Sequence, residues 1–117
     1  MKDATHLILD IKECEEFKKL FSKKIIKNCL LELVKISKMK AITKPLVFYY
    51  NHKEKQESGV TGFIIISDSH ISIHTYPYKK SLYLDLFSCK SFDSDKIYSF
   101  IKNEFKPSKT NKKLIKR

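Results

Sequence analysis

The 117-residue sequence predicts an α+β fold, a two-layer sandwich with helices packed on one face of a mostly antiparallel sheet. Two observations predict it. Apolar residues recur at helical spacing in two stretches, one in the first third of the chain and one near its end. Between them lie three consecutive segments of alternating or continuous apolar residues, separated by short polar breaks, which is the pattern of an antiparallel meander.

In chain order, residues 6–12 (HLILDIK) read as a first strand. From about Cys14 to Lys38 the pattern is helical: Ile26, Leu30 and Val34 fall four apart, with Cys29, Leu33 and Ile36 beside them. Residues 45–51 form a second strand entered at Pro45, and a polar loop, His52 to Ser58, follows. Gly59 and Gly62, the only glycines, bracket Val60 and Thr61. Residues 62–67, 70–76 and 81–88 are the three meander strands. Asp93 or Ser94 is placed to cap a last helix, whose apolar face is Ile97, Phe100, Ile101 and Phe105, and Pro107 ends it. The last twelve residues carry six positive charges and read as a solvated tail.

Composition bounds the function. The length fits one domain, 1–117, and 42% hydrophobic with 32% charged residues is a globular balance. No run reaches the roughly 18 apolar residues of a membrane span, and MKDATHLILD is no signal peptide, so no membrane partner is expected. Three cysteines, Cys14, Cys29 and Cys89, lack metal-type spacing and form an odd set, which points to a reduced cytoplasm and to no metal. The net charge of +11 suggests a nucleic-acid module, yet the basic residues are spread along the chain and all but Arg117 are lysines, whereas arginine is the usual bidentate reader; no nucleic-acid partner is expected.

The meander has one unusual face. In 70–76, Ile71 and Ile73 point one way and His70, Ser72, His74 and Tyr76 the other; in 81–88, Leu82, Leu84 and Leu86 alternate with Tyr83, Asp85 and Phe87. Imidazoles, hydroxyls, a carboxylate and aromatic rings make either a solvated face or a second buried layer completed by another subunit, and pattern alone leaves both open.

The stretch Gly59–Val60–Thr61–Gly62, followed by Ser67-Asp68-Ser69-His70-Ile71-Ser72-Ile73-His74-Thr75-Tyr76-Pro77, resembles the core of the short prokaryotic S-adenosylmethionine decarboxylase proenzymes, Gly-Val-(Ser or Thr)-Gly and then ESHxxIHTWPE. Asp85 to Cys89 (DLFSC) is similar to that family's DVFTC, and His6 to Asp10 (HLILD) to its HLIxD. The resemblance spans nearly the whole chain, and a Cys twenty residues after the core Ser is its specific part.

The resemblance implies a pyruvoyl-dependent decarboxylase of polyamine biosynthesis that cuts itself between Asp68 and Ser69, into 1–68 and 69–117. Ser69 would attack the Asp68 carbonyl, and ester formation, elimination and hydrolysis would leave a covalent pyruvoyl cofactor at residue 69. Thr61 and His74 match the family's processing residues, which serve the oxyanion and the base that such a reaction needs. The pyruvoyl carbonyl would take the amine of an amino-acid-type substrate as a Schiff base and act as the electron sink as CO2 leaves. Cys89 matches the proton donor. Catalytic roles thus fall on Ser69, His74 and Cys89, and processing roles on Asp68, Ser69, His74 and Thr61.

Three departures stand out. Asp68 replaces the family's glutamate. Tyr78 stands where that family has the glutamate that holds the substrate's ribose, and the loop before Gly59 lacks its adenine-stacking aromatic. A pyruvoyl-dependent ornithine or arginine decarboxylase of the same family needs neither feature and is the alternative. Strand geometry adds an expectation of its own. If residues 77–80 make a turn pairing Tyr76 with Ser81, Ser69 lies opposite Ser88, beside Cys89. Thr61 and Phe63 would lie opposite Tyr76 and His74. His74 is five residues from Ser69, roughly 16 Å along a strand and on the other face. A homodimer with shared active sites, a type of assembly for which the family is known, would reunite them.

Overall fold

A computed structural model describes residues 4–117. Six strands form one antiparallel sheet: β1 (Thr5–Cys14), β2 (Leu46–Tyr50), β3 (Gly59–Ile66), β4 (Ser69–Tyr76), β5 (Ser81–Ser88) and β6 (Pro107–Lys116), in the spatial order β2-β3-β4-β5-β1-β6. Helices α1 (Lys23–Ile36) and α2 (Ser94–Phe105) cover one face, so the α+β two-layer sandwich predicted from the sequence is the observed fold.

The core is the seam between the layers. Leu7, Leu9 and Ile11 of β1, Ile64 and Ile66 of β3, Ile71 and Ile73 of β4, and Leu82, Leu84 and Leu86 of β5 point to the helices and are fully or almost fully buried. They meet Ile26, Leu30 and Leu33 of α1 and Ile97, Ile101 and Phe105 of α2. Gly62 serves this contact and Gly59 the close approach of β3 to β4. A Cβ on Gly62 would stand 3.0 Å from Leu30 Cδ1 and 3.2 Å from Ile26 Cγ2, and one on Gly59 would stand 1.8 Å from the Thr75 carbonyl oxygen. The backbone of β3 therefore approaches α1 and β4 more closely than a side chain there would allow.

Four sequence expectations are corrected. The helix expected from Cys14 begins only at Lys23: β1 runs on through Cys14, residues Phe17–Phe21 form a short 3-10 turn, and Ser22 stops it and caps α1 by accepting a hydrogen bond from the Ile25 N–H at 3.1 Å. Strand β3 starts at Gly59, so the Gly59–Gly62 segment lies inside the sheet. The basic tail is no tail. Residues Pro107–Lys116 pair with β1 along its whole length, because β1 would otherwise present an unpaired row of N–H and C=O groups. Its lysines then blunt the new sheet edge. Finally, the β3–β4 register is shifted by two residues. The turn is only Ser67 and Asp68, so Ile66 pairs with Ser69, Thr61 with His74, and Phe63 with Ser72. The β4–β5 register is as expected, with Tyr76 opposite Ser81 and Ser69 opposite Ser88.

Candidate active site

The residues singled out in the sequence fall into two groups at opposite ends of β4. The first group surrounds the Asp68–Ser69 peptide bond. The Asp68 carbonyl, which that bond would break beside, accepts a hydrogen bond from the Cys89 N–H at 3.3 Å. Ser69 is 9% exposed and turns toward the helix layer, where its hydroxyl donates to Met39 Sδ at 3.2 Å. Its register partner Ser88 is fully buried and lies 3.6 Å from the same sulfur, accepting at 2.9 Å from the Lys90 N–H. The turn is held from outside by the segment after α1: Lys40 C=O takes the Ser67 N–H at 3.0 Å, and Ala41 bridges to Ile66. The Asp68 carboxylate is engaged by Lys90 at 3.3 Å on the surface.

Cysteine environment separates the three thiols. Burial pushes the Cys14 thiol up to about 11 and the Cys29 thiol, with Glu104 adding to the effect, up to about 12. Both stay protonated inside the core. Cys89 is exposed and sits one residue past β5, next to Ser88.

The second group lies on the face of the sheet that the helices leave open. His74 Nδ1 is 3.3 Å from Thr61 Oγ1, its direct partner across the β3–β4 ladder. They line a cavity of about 420 Å³ together with Tyr50, His52, Glu57 and Tyr76. Of these last four, only Tyr76 was singled out in the sequence: His52 and Glu57 lie in a polar loop with no periodicity to say which side chains turn inward, and Tyr50 ends β2. Met39 was missed because it lies just past the predicted helix, in a segment to which the sequence assigned no element.

The odd spacing of Ser69 and His74 has the consequence expected of an unkinked strand. Ser69 is on the helix side of β4 and His74 on the open side. The chain therefore brings Asp68, Ser69 and Cys89 together, and Thr61 and His74 together, but keeps the two groups apart.

The open face itself is dense in rings. His70 lies between Phe63 and Phe87, with centroids at 5.6 and 5.7 Å, Tyr76 meets Tyr83 edge-on at 5.6 Å, and His6 is 3.0 Å from Asp85. Strand β2 extends the face with Leu46, Phe48 and Tyr50, which are 59%, 62% and 62% exposed. No helix among the described residues is long and apolar enough to cross a membrane.

Comparison with known proteins bears on both groups. The family model described as S-adenosylmethionine decarboxylase matches residues 5–117. The chain belongs to the S-adenosylmethionine decarboxylase family. It is similar to the S-adenosylmethionine decarboxylase proenzyme of Clostridium botulinum, with 34% identity over 113 residues, 96% of this chain and 91% of that one. The proenzyme of the same description from Methanococcus maripaludis is 32% identical over 113 residues, 96% of this chain and 87% of the other. Among solved structures, the adenosylmethionine decarboxylase of Aquifex aeolicus superposes on all of this chain and 92% of its own with a TM-score of 0.79 at 24% identity, a likeness of fold. Family membership makes the chain one of the decarboxylases, and the fold shared with the Aquifex protein is the same α+β sandwich.

Proposed function

We propose that the protein is a self-cleaving, pyruvoyl-dependent S-adenosylmethionine decarboxylase, a cytoplasmic enzyme whose product is an aminopropyl donor for polyamine synthesis. The observation that carries this reading is the setting of the Asp68–Ser69 bond, in a chain of this family. The bond lies in a two-residue turn, its carbonyl receives the Cys89 N–H, and the serine hydroxyl occupies a nearly closed niche beside Ser88.

These residues support a self-cleavage reaction. Ser69 Oγ adds to the Asp68 carbonyl carbon, and the Cys89 N–H is the donor already aimed at the oxygen on which negative charge develops. Collapse breaks the peptide C–N bond and leaves an ester between Asp68 and Ser69 Oγ. Loss of the Ser69 α-proton then expels the Asp68 carboxylate, and hydrolysis of the resulting dehydroalanine releases ammonia and leaves a keto group at residue 69. His74 and Thr61 of a second copy would be the base and hydroxyl for these proton transfers, because the chain's own pair lies on the other face of β4.

The fold tolerates the cut. β4, β5 and β6 belong to the segment after residue 68, and β4 and β5 lie in the sheet between β3 and β1, which belong to the segment before it. Three ladders, β3–β4, β1–β5 and β1–β6, hold the two products together. A keto-acyl group at residue 69 would form beside Met39 Sδ and Ser88, where the Ser69 hydroxyl now sits.

A pyruvoyl group at residue 69 would supply a carbonyl able to take the substrate amine and to accept the electron pair released with CO2. Cys89, the exposed thiol of the three, is the proton donor to the carbon that loses CO2. Cys89→Ala should therefore still cleave to some extent but lose at least about 10²-fold in turnover, in line with general acid catalysis. Protonation at the wrong carbon should also transaminate the pyruvoyl group, so that remaining activity decays during assay. Lasting, normal turnover by Cys89→Ala would remove this thiol from the mechanism.

Release of labelled CO2 from S-adenosylmethionine, ornithine and arginine, measured in parallel, tests the substrate. Release from S-adenosylmethionine is the expected result, and release from ornithine or arginine alone would refute it.

A further inference from the structure

The cavity beside His74 has a composition that the cleavage reaction does not require. Glu57 enters it from the loop between β2 and β3, and Lys79 holds Oε1 of its carboxylate, which leaves Oε2 available to a ligand. Tyr50 presents a largely exposed ring at the end of β2. His52 is fixed between them: its N–H donates to Ser58 Oγ at 2.8 Å, its Nδ1 accepts from the Glu54 N–H at 2.9 Å, and its ring meets Tyr50 edge-on at 5.9 Å. With Nδ1 accepting, the neutral ring carries its proton on Nε2, as a donor. A carboxylate, an open aromatic face and an oriented N–H in about 420 Å³ make a site for a small polar ring system with adjacent hydroxyls. Carboxylates take ribose hydroxyls in this way in nucleotide-binding folds, and tyrosine rings stack on bases.

Tyr78, by contrast, is turned away. It stands edge-on to Phe21 at 5.2 Å with Lys55 over its ring, and it does not line the cavity.

We infer that Glu57 is the residue that selects the ribose of the substrate, hydrogen-bonding its hydroxyls through the free carboxylate oxygen while Tyr50 carries the adenine. The inference rests on the S-adenosylmethionine reading above and assigns its specificity to a loop residue. The aminoacyl end of the substrate then extends from the His74 end of this cavity toward residue 69 of a second copy, since the chain's own Ser69 lies on the other face of β4.

Binding of 5′-methylthioadenosine to the purified, self-processed protein, measured by calorimetry, tests this without any turnover. The wild type should prefer this probe to its 2′-deoxy counterpart. Glu57→Gln keeps the shape and removes the charge; it should weaken binding of the ribose probe by at least about tenfold, the usual range for a hydrogen bond to a charged group, and abolish the preference. Lys79→Met breaks the ion pair but keeps the carboxylate, so the preference should persist. Wild-type affinity and preference in Glu57→Gln would overturn the assignment, as would an equal loss in Lys79→Met, which would make the ion pair merely structural. If the wild type binds the probe with this preference but releases no CO2 from S-adenosylmethionine, the decarboxylase reading fails and the Glu57 site stands. If CO2 is released while Glu57→Gln binds as the wild type does, only the Glu57 assignment fails.

Discussion

Ser69→Ala should yield a single uncut chain of 13.8 kDa with no decarboxylase activity, where the wild type yields two chains ending and beginning at Asp68 and Ser69. The loss should be complete, because alanine has no oxygen to attack the Asp68 carbonyl and none from which the ester could form. The variant should nevertheless fold. The hydroxyl it removes is bonded to a thioether, a weak acceptor, so the stability change should stay within roughly 1 kcal/mol, the net value of an ordinary hydrogen bond. Intact-mass measurement and a thermal melt of both proteins check the two statements together. An uncut wild type with full activity would end the pyruvoyl reading, and a Ser69→Ala chain cut at the same bond would show that an outside protease is responsible.

The parts of the fold that were readable in advance are those where side-chain burial dictates the backbone. Strand β5 was read with its observed bounds, 81–88, because Leu82, Leu84 and Leu86 must all face one way and the residues between them the other. Helix α2 was read from Ile97, Phe100, Ile101 and Phe105, with Asp93 or Ser94 as its cap; Ile97, Ile101 and Phe105 are buried, and it is the Asp93 carboxylate that caps it by accepting from the Asp95 and Lys96 N–H groups. Strand β6 could not be read in this way. It is held by main-chain hydrogen bonds to β1, and its lysines look the same in a strand edge as in a solvated tail.

The site divides along the same line. Ser69, His74, Cys89 and Thr61 were found through their motif, and the separation of Ser69 from His74 through the parity of a strand. The direct Thr61–His74 pairing was not found, because the β3–β4 turn was counted too long and the register came out two residues off. Glu57 and His52 reach their cavity through loop hydrogen bonds such as that between the His52 N–H and Ser58 Oγ, which follow no periodicity. Motif and pleat thus place the residues of the proposed chemistry, whereas the His52 and Glu57 side chains that line the cavity beside His74 come from a loop.

Co-expression of Ser69→Ala and His74→Ala chains should restore activity that neither chain has alone. The two residues lie about 16 Å apart along β4 and on opposite faces, so one chain cannot apply its own His74 to its own Ser69. A second copy can supply it. The open face of the sheet carries Leu46, Phe48 and Tyr50 largely exposed on the face that also holds the His70, Phe63 and Phe87 rings, and exposed apolar side chains grouped in this way mark an interaction surface. In a two-fold homodimer each site would combine Ser69 and Cys89 of one chain with His74 and Thr61 of the other. A dimer of the two variants then holds one site with both defects and one with neither. Random pairing of equal amounts makes half of the dimers mixed, so the preparation should reach about a quarter of wild-type activity, one intact site in four, by the symmetry of a closed two-fold pair. Size-exclusion with tagged chains establishes that mixed dimers are present, and CO2 release from S-adenosylmethionine reads the restored site. Should mixed dimers form without any gain over the parent proteins, each chain must assemble its own site. The backbone would then have to kink at Ser69 and swing the serine through the sheet to the side where Thr61 and His74 stand.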